Sequence, residues 1–329
     1  MTDSRIRIGT SGWNYPSGRG TWNGIFYPEP RPRGFDELGY YADRFDTVEV
    51  NSTFYGEPRS DVTQRWVDRT PPGFEFSLKL YRKFTHPKMY AQAANAAAAV
   101  PDALPESLLA PSQIDVDRFR RGIDPIAGSA KLGALLAQFP PSFKDAPDTR
   151  EYLAWLLRAF ADYPVAVELR HRSWSDNIDG TLSLLGDFGA AWTQIDEPKF
   201  RVSIRQNLLP NVRGFYYLRL HGRNAASWWR PDRSEDRYDY LYSAGELQPF
   251  GETAAAVRQL VKKMYLYLNN HFAAKSVANA VMIKRQLGEP VEGTYPQAFV
   301  DRYPDLREAV RVTPILGQKP LIAQAPQRG

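Results

Sequence analysis

Cysteine is absent from all 329 residues. That omission removes thiolate nucleophiles, iron–sulfur ligation, cysteine-held zinc and every disulfide. Any metal would have to be held by His, Asp or Glu, and only 4 His are available. Long apolar runs are missing too: nowhere do about 18 apolar residues follow one another, and Met1 to Ile8 has no signal-peptide core. A cytoplasmic protein with no membrane partner is expected. Charge of one sign does not dominate either, since 42 Lys and Arg face 37 Asp and Glu for a net +5, with a pI near 9.2. That is a mild bias toward anionic partners, common also in proteins that never meet nucleic acid. The chain is instead rich in apolar (43%) and aromatic (13%) side chains, which excludes a disordered or fibrous protein and allows one large core or two ordinary ones.

Eight short apolar or alternating runs recur: Ile6 to Ser11, Thr47 to Val50, Phe74 to Leu80, Leu132 to Phe139, Val165 to Leu169, Ala190 to Ile195, Phe215 to Leu220 and Met264 to Leu268. Segments with helical character separate them, among them Phe35 to Arg44, Ser60 to Arg69, Tyr152 to Tyr163, Thr181 to Phe188 and Ala254 to Lys263. Strand-helix alternation implies parallel pairing, because a parallel strand needs a long crossover. Eight such units match the count and size of an α/β TIM (β/α)8 barrel, while a doubly wound sheet would use six or seven. The barrel is expected as a single domain over 1–288. The Ala- and Pro-rich stretch Ala91 to Gln113 reads as an exposed insertion whose prolines 101, 105 and 111 would end any helix begun at the alanines. Residues 289–329 read as a partly irregular C-terminal extension.

In a barrel of this type the working face lies where strands end. Thr10, Ser11, Gly12, Trp13 and Tyr15 follow the first run, Asn51 and Ser52 the second, and Arg82 and His86 the third. Gln138 ends the fourth, Arg170, His171 and Trp174 follow the fifth, and Asp196 and Glu197 the sixth. His221 and Arg223 follow the seventh; Asn269, Asn270 and His271 follow the eighth. All four histidines thus fall at strand ends, where they suit acid–base chemistry or anion clamping but could equally cap helices. Glu49, Lys79, Glu168 and Arg219 are charges embedded in or ending strongly apolar runs. Such charges are costly unless paired, so they predict a mutually neutralising cluster that could be catalytic or structural.

No fixed-spacing metal motif occurs, and Lys79, Arg170 and Arg219 would repel a divalent cation, so no cofactor is expected and a divalent metal is disfavoured. Aromatics crowd the same loops, and Trp13, Trp174, Trp228 and Trp229 are candidates for stacking on a base or sugar. Arg223, Arg230, Arg233 and Arg237 make the loop after the seventh run the most basic, although Asp232, Glu235, Asp236 and Asp239 blunt that signal. Neither a dinucleotide fingerprint nor a phosphate loop is present.

Seven blocks taken in order, IGTSGWNYPSGRGTW, DTVEVNSTFYGEP, FEFSLKLYRKFTHPK, LGALLAQFPPSF, VAVELRHRSW, YYLRLHGRN and YLYLNNHFAAKSVANA, strongly resemble the family called domain of unknown function 72, the YecE-like proteins. The resemblance spans roughly 5–287. It implies a TIM barrel and assigns no reaction. Its signature polar positions fall on Glu49, Asn51, Lys79, His86, Gln138, Glu168, Arg170, Trp174, Arg219, His221, Gly222 and Asn270. A looser likeness, at the level of fold alone, is to the barrels that include endonuclease IV and xylose isomerase.

The leading expectation is an enzyme that binds a small phosphorylated or otherwise anionic ligand, with nucleic acid as one such partner, and performs hydrolytic or acid–base chemistry on it. Glu168 or Glu49 would be the general base and His221 its acid–base partner. Lys79, Arg170 and Arg219 would clamp the anion, with Asn51, His86, Gln138, Arg223, Asn270, Trp13 and Trp174 completing the binding set. Two alternatives stand beside it. One is a glycosidase or sugar isomerase using Glu49 and Glu168, which Glu–Arg pairing that buries both carboxylates would oppose. The other is a non-catalytic module for single-stranded nucleic acid or a nucleotide.

Overall fold

A computed structural model describes residues 5–98, 105–206, 214–228 and 232–313. Nine strands carry the fold: β1 (Arg5–Thr10), β2 (Thr47–Val50), β3 (Glu75–Lys79), β4 (Leu132–Gln138), β5 (Val165–Glu168), β6 (Ala191–Trp192), β7 (Gln194–Asp196), β8 (Phe215–Leu220) and β9 (Lys263–Leu268). They pair in parallel as two sheets, one ordered β2-β3-β4-β5-β6 and the other β1-β9-β8-β7. The sixth apolar run is split at Thr193, so that β6 pairs with β5 while β7 pairs with β8. At the other junction β1 and β2 touch through a lone parallel bridge between Ser11 and Glu49. Gly9 permits that approach, because a Cβ there would lie 2.3 Å from the Thr47 carbonyl oxygen. These nine strands thus form two parallel sheets of a mixed α/β fold, and no single closed barrel of hydrogen bonds is found among the described ladders.

Alternation along the strands sorts the core. Val48 and Val50, Phe76 and Leu78, Leu135 and Ala137, Val165 and Val167, Leu218 and Leu220, and Leu266 and Leu268 join the large apolar cluster under the helices. The other parity gives a smaller cluster shared by both sheets: Ala134, Leu136, Ala166 and Ala191 from one, Phe215, Tyr217, Tyr265 and Tyr267 from the other. The two sheets therefore face each other through these side chains. Thr47 and Ser77 bind the Tyr267 hydroxyl across that space, at 2.6 and 2.9 Å. Glu49, Lys79, Gln138, Glu168 and Arg219 share this second parity and sit at the carboxyl ends of their strands, and that placement gathers them.

Helix bounds depart from expectation near the sequence punctuation. The segment expected over Ala254 to Lys263 is a helix at Ala244–Val257, started by a Ser243–Glu246 capping box, and Lys263 already belongs to β9. The first alanines of the expected insertion, Ala91 to Ala98, lie in the helix Pro87–Ala98, short and longer helices follow at Glu106–Leu109 and Gln113–Gly128, and residues 99–104 fall outside the described set. Within the expected extension, part of 289–313 is regular. Thr294–Tyr295 pairs with Arg311–Val312, and the helix Gln297–Arg302 buries Phe299 and Val300. Phe26 packs on both Tyr295 and Phe299, so this stretch packs against the segment between β1 and β2. Residues 314–329 lie outside the described residues.

Candidate active site

Arg219 is the centre of the cluster and is 1% exposed. Its Nε and Nη2 donate to the two carboxylate oxygens of Glu49 at 2.9 and 2.6 Å, while Nη1 donates to Glu168 Oε2 at 2.5 Å and Gln138 Oε1 at 3.2 Å. Glu49 also accepts from the Ser11 hydroxyl at 2.8 Å and from Tyr217 at 2.7 Å. Four donors fill its acceptor sites, and the fork geometry makes this the strongest class of ion pair. Glu168 accepts from Arg170 Nε at 2.7 Å as well. Burial would raise the Glu168 pKa, but Arg219, then Arg170 and His221, outweigh burial and hold it well below the ordinary carboxylate range. Arg170 reaches Glu197 at 3.3 Å, and burial raises the pKa of Glu197. Both expected carboxylates are thus wholly buried and committed to arginine.

Above this ionic floor opens a pocket of about 490 Å³. Asn51, Lys79, His86, Gln138, Arg170 and Arg219 all line it, as the sequence led one to expect. Lys79 differs from its neighbours: among the described residues its Nζ meets no carboxylate, and it rests 3.9 Å from the centre of the Phe54 ring. The short helix Ser52–Tyr55 supplies that ring, and the Thr53 hydroxyl fastens the helix to the Lys79 carbonyl at 2.6 Å. Burial, then the repulsion of Arg219, pushes the Lys79 amine down to about 7. His86 follows the helix Arg82–Thr85; its Nδ1 meets the Thr85 hydroxyl at 2.9 Å, and burial with the Lys79 charge pushes it down to about 3.

His221 lies below the lining, wholly buried, with Asn269 Nδ2 at 2.8 Å from Nδ1 and Glu168 Oε1 at 3.5 Å from Nε2. Burial pushes its pKa down to about 3 against the pull of Glu168, so at neutral pH it is an uncharged ring. Four other expected binding residues are elsewhere. Trp174 is buried, stacks on Phe143 at 5.6 Å and donates to the Phe143 carbonyl, so it packs the loop after β4 and cannot stack on a ligand in the pocket. Arg223 is held by Asp196 at 2.7 and 3.1 Å and by Glu246 at 3.3 Å. Asn270 donates to the Tyr240 carbonyl and to Asn279, which fixes the loop after β9. Trp13 packs edge-on against Trp66. His171 caps its own short helix through Ser173. Trp229 and Arg230 lie outside the described residues.

Several lining residues were left out of the candidate set. His271 lies in the pocket wall between Tyr15 and Tyr238, with ring centres 4.2 and 4.7 Å away, and its buried Nδ1 has no hydrogen-bond partner among the described residues. Arg237 and Asn269 also face the cavity, as does Trp228, one of the tryptophans expected to stack on a ligand. Their sequence signals were present, in the polar triplet after β9 and the basic loop after β8. Met89 also lines it and carried no signal at all. Among the described residues no group of three or more His, Asp or Glu is arranged to hold a metal, and no helix is long and apolar enough to cross a membrane.

Comparison with known proteins agrees with this frame. The UPF0759 protein YunF of Bacillus subtilis (strain 168) is 27% identical over 299 residues, covering 89% of this chain and 98% of the relative. The UPF0759 protein YecE of Escherichia coli (strain K12) is 31% identical over 81 residues, a quarter of each chain. Among solved structures, a DUF72 family protein from Thermotoga maritima MSB8 superimposes with a TM-score of 0.68 at 30% identity, covering 86% of this chain and 99% of that one. Another from Enterococcus faecalis V583 gives 0.70 at 23% identity, covering 86% and 96%. The family model described as "Protein of unknown function DUF72" matches residues 7–302, and the chain belongs to that family.

Proposed function

We propose that this protein is an enzyme whose pocket takes a small ligand bearing a phosphate or carboxylate, and that the two sheets are halves of one (β/α)8 barrel whose carboxyl-end mouth is that pocket. The observation that carries the ligand class is the lining itself: Lys79, Arg170, Arg219 and Arg237 face the cavity, and among the described residues no Asp or Glu does. An anion entering it would meet converging N–H donors in a partly desolvated space, where charge–charge attraction is strongest. Tyr15, His271 and Tyr238 offer a polar-edged aromatic wall for the rest of the ligand.

The roles expected from sequence shift under this reading. Glu49 and Glu168 orient and neutralise Arg219 and Arg170, because no lone pair of Glu49 is left to take a proton. The same pairing opposes a glycosidase, whose two carboxyl groups must both reach the sugar. Acid–base work falls to groups on the lining, Lys79 and His86, rather than to His221 beneath it.

Calorimetric titration with inorganic phosphate, a sugar phosphate and a nucleoside monophosphate tests the reading. Arg237→Ala and Lys79→Met should each weaken binding about tenfold, roughly 1.4 kcal/mol. Undiminished binding in both variants, or none of the three ligands binding, would refute it. Tighter binding of single-stranded oligonucleotides than of any small phosphate, with steep loss on adding salt, would favour the nucleic-acid module instead.

A further inference from the structure

The lysine at the end of β3 differs from every other charge in the cluster. Arg219 is tied to Glu49 and Glu168, and Arg170 to Glu168 and Glu197. Lys79 lines the cavity with no carboxylate partner among the described residues, its Nζ lying over the face of Phe54. The groups that face it from the surrounding elements are Arg219 on β8, Glu168 and Arg170 at the end of β5, Glu49 on β2 and His86 after the next short helix. The cations nearest it repel its proton, and the carboxylates that could hold the proton are spent on arginine. A lysine beside another cation in a partly desolvated pocket is the environment that turns an ammonium into a nucleophile.

Resting on the anion-binding reading above, we propose that Lys79 is a reactive amine that condenses with an aldehyde or ketone carrying a phosphate or carboxylate. The lone pair of Nζ attacks the carbonyl carbon to form a C–N bond, and one of the two amine protons passes to the carbonyl oxygen. The C–O bond then breaks and the oxygen leaves as water with the second amine proton, giving an imine. Amine and carbonyl go in, imine and water come out, and neither oxidant nor reductant is consumed. Arg219, Arg170 and Arg237 would hold the anionic group, which places the carbonyl within the same cavity as Nζ. The substrate class is thereby narrowed from any anion to keto acids, aldehyde acids and open-chain sugar phosphates. The amine itself is held at about 7, against about 10.4 for a free lysine.

The test is reductive trapping on the full-length protein at pH 7.5, with pyridoxal 5′-phosphate and glyoxylate as anionic probes and propionaldehyde as an uncharged one, followed by borohydride and peptide mass spectrometry. Lys79 should be labelled by the anionic probes roughly ten- to a hundredfold more than the surface lysines, its much larger neutral fraction being offset in part by the lower nucleophilicity of a less basic amine. Inorganic phosphate should suppress that labelling, and Lys79→Arg should abolish it. Labelling of wild-type Lys79 no greater than that of surface lysines, with all three probes, would overturn the amine proposal even if phosphate binds. Selective labelling of Lys79 by propionaldehyde that phosphate does not suppress would uphold the amine and overturn the anion-binding reading. Because the decisive readout is on the wild-type chain, a variant that failed to fold would not blur the result.

Discussion

Two ionic clusters lie between the facing sheets, one at each end of the strands. At the amino end, Arg7 binds Asp46 and Glu75 at 3.0 Å, Lys263 binds Glu75 at 3.0 Å, and Tyr265 donates to the other Glu75 oxygen at 2.5 Å. At the carboxyl end, Arg219 and Arg170 are paired with Glu49, Glu168 and Glu197, but Lys79 is left over and a cavity opens above it. The strand-borne members of both clusters, Arg7, Glu75 and Lys263 at one end and Glu49, Lys79, Glu168 and Arg219 at the other, share one strand parity. In the amino-end cluster each cation has its carboxylate. The difference teaches that a buried charge in a strand marks a place where sheets must be bridged, and that only an unmatched charge facing open space marks a place for a ligand.

The sharpest way to break the comparison is to remove the cation on which the carboxyl end depends. Arg219→Met leaves Glu49 and Glu168 buried without their main partner, and should cost about 3–5 kcal/mol in urea-induced unfolding. Acid unfolding of the variant should also set in at a higher pH. The native Glu168 pKa lies below its unfolded value, so its contribution is present above the unfolded pKa and vanishes as pH falls through the folded one. Without Arg219 that depression shrinks. A loss under 1 kcal/mol would show that the cluster does not hold the sheets together.

At the amino end the matching change is Glu75→Gln. Arg7 keeps Asp46, Lys263 is half exposed, and Tyr265 can still donate to the amide oxygen. The expected loss is therefore smaller, about 1–3 kcal/mol, and phosphate titration should be unaffected. Weakened ligand binding in Glu75→Gln would mean that the two ends are coupled and cannot be treated as separate regions.

Much of this was legible in the sequence, and the part that was not has a physical pattern. The eight apolar runs, their parallel order and the convergence of Glu49, Lys79, Gln138, Glu168 and Arg219 follow from period-two alternation, which is local. The same signal is carried by Arg7 in RIRIG and Glu75 in FEFSLKL, and their early place in these runs puts them at the amino end, whereas which carboxylate each cation meets depends on the packing of distant segments. Trp174 and Arg223 show a different failure. Each follows a strand end, as a ligand-facing residue should, but Phe143 claims the indole and Asp196 the guanidinium from neighbouring strand loops. Which loop neighbours which depends on sheet order, and one sequence does not print sheet order. His271 had the right position, but its sandwich between Tyr15 and Tyr238 joins residues more than two hundred positions apart.

The mildest change sharpens the comparison furthest, because it separates fold from function at one atom. Lys79→Met removes a cation that no carboxylate among the described residues satisfies and replaces it with an apolar chain of similar length, so stability at pH 7 should rise. The pH profile should differ more clearly. Burial and Arg219 hold Lys79 at about 7 in the fold, against about 10.4 in the unfolded chain, so between these values the unfolded chain binds a proton that the native state does not. Wild-type stability therefore gains a rising component from pH 7 toward 10, and below 7 it carries the cost of a buried charge. Lys79→Met lacks both, so thermal or urea unfolding curves for the two proteins should lie furthest apart below pH 7 and converge near pH 10. Parallel profiles across that range would mean that Lys79 is an ordinary solvated ammonium, and the contrast between a matched amino end and an unmatched carboxyl end would lose its basis.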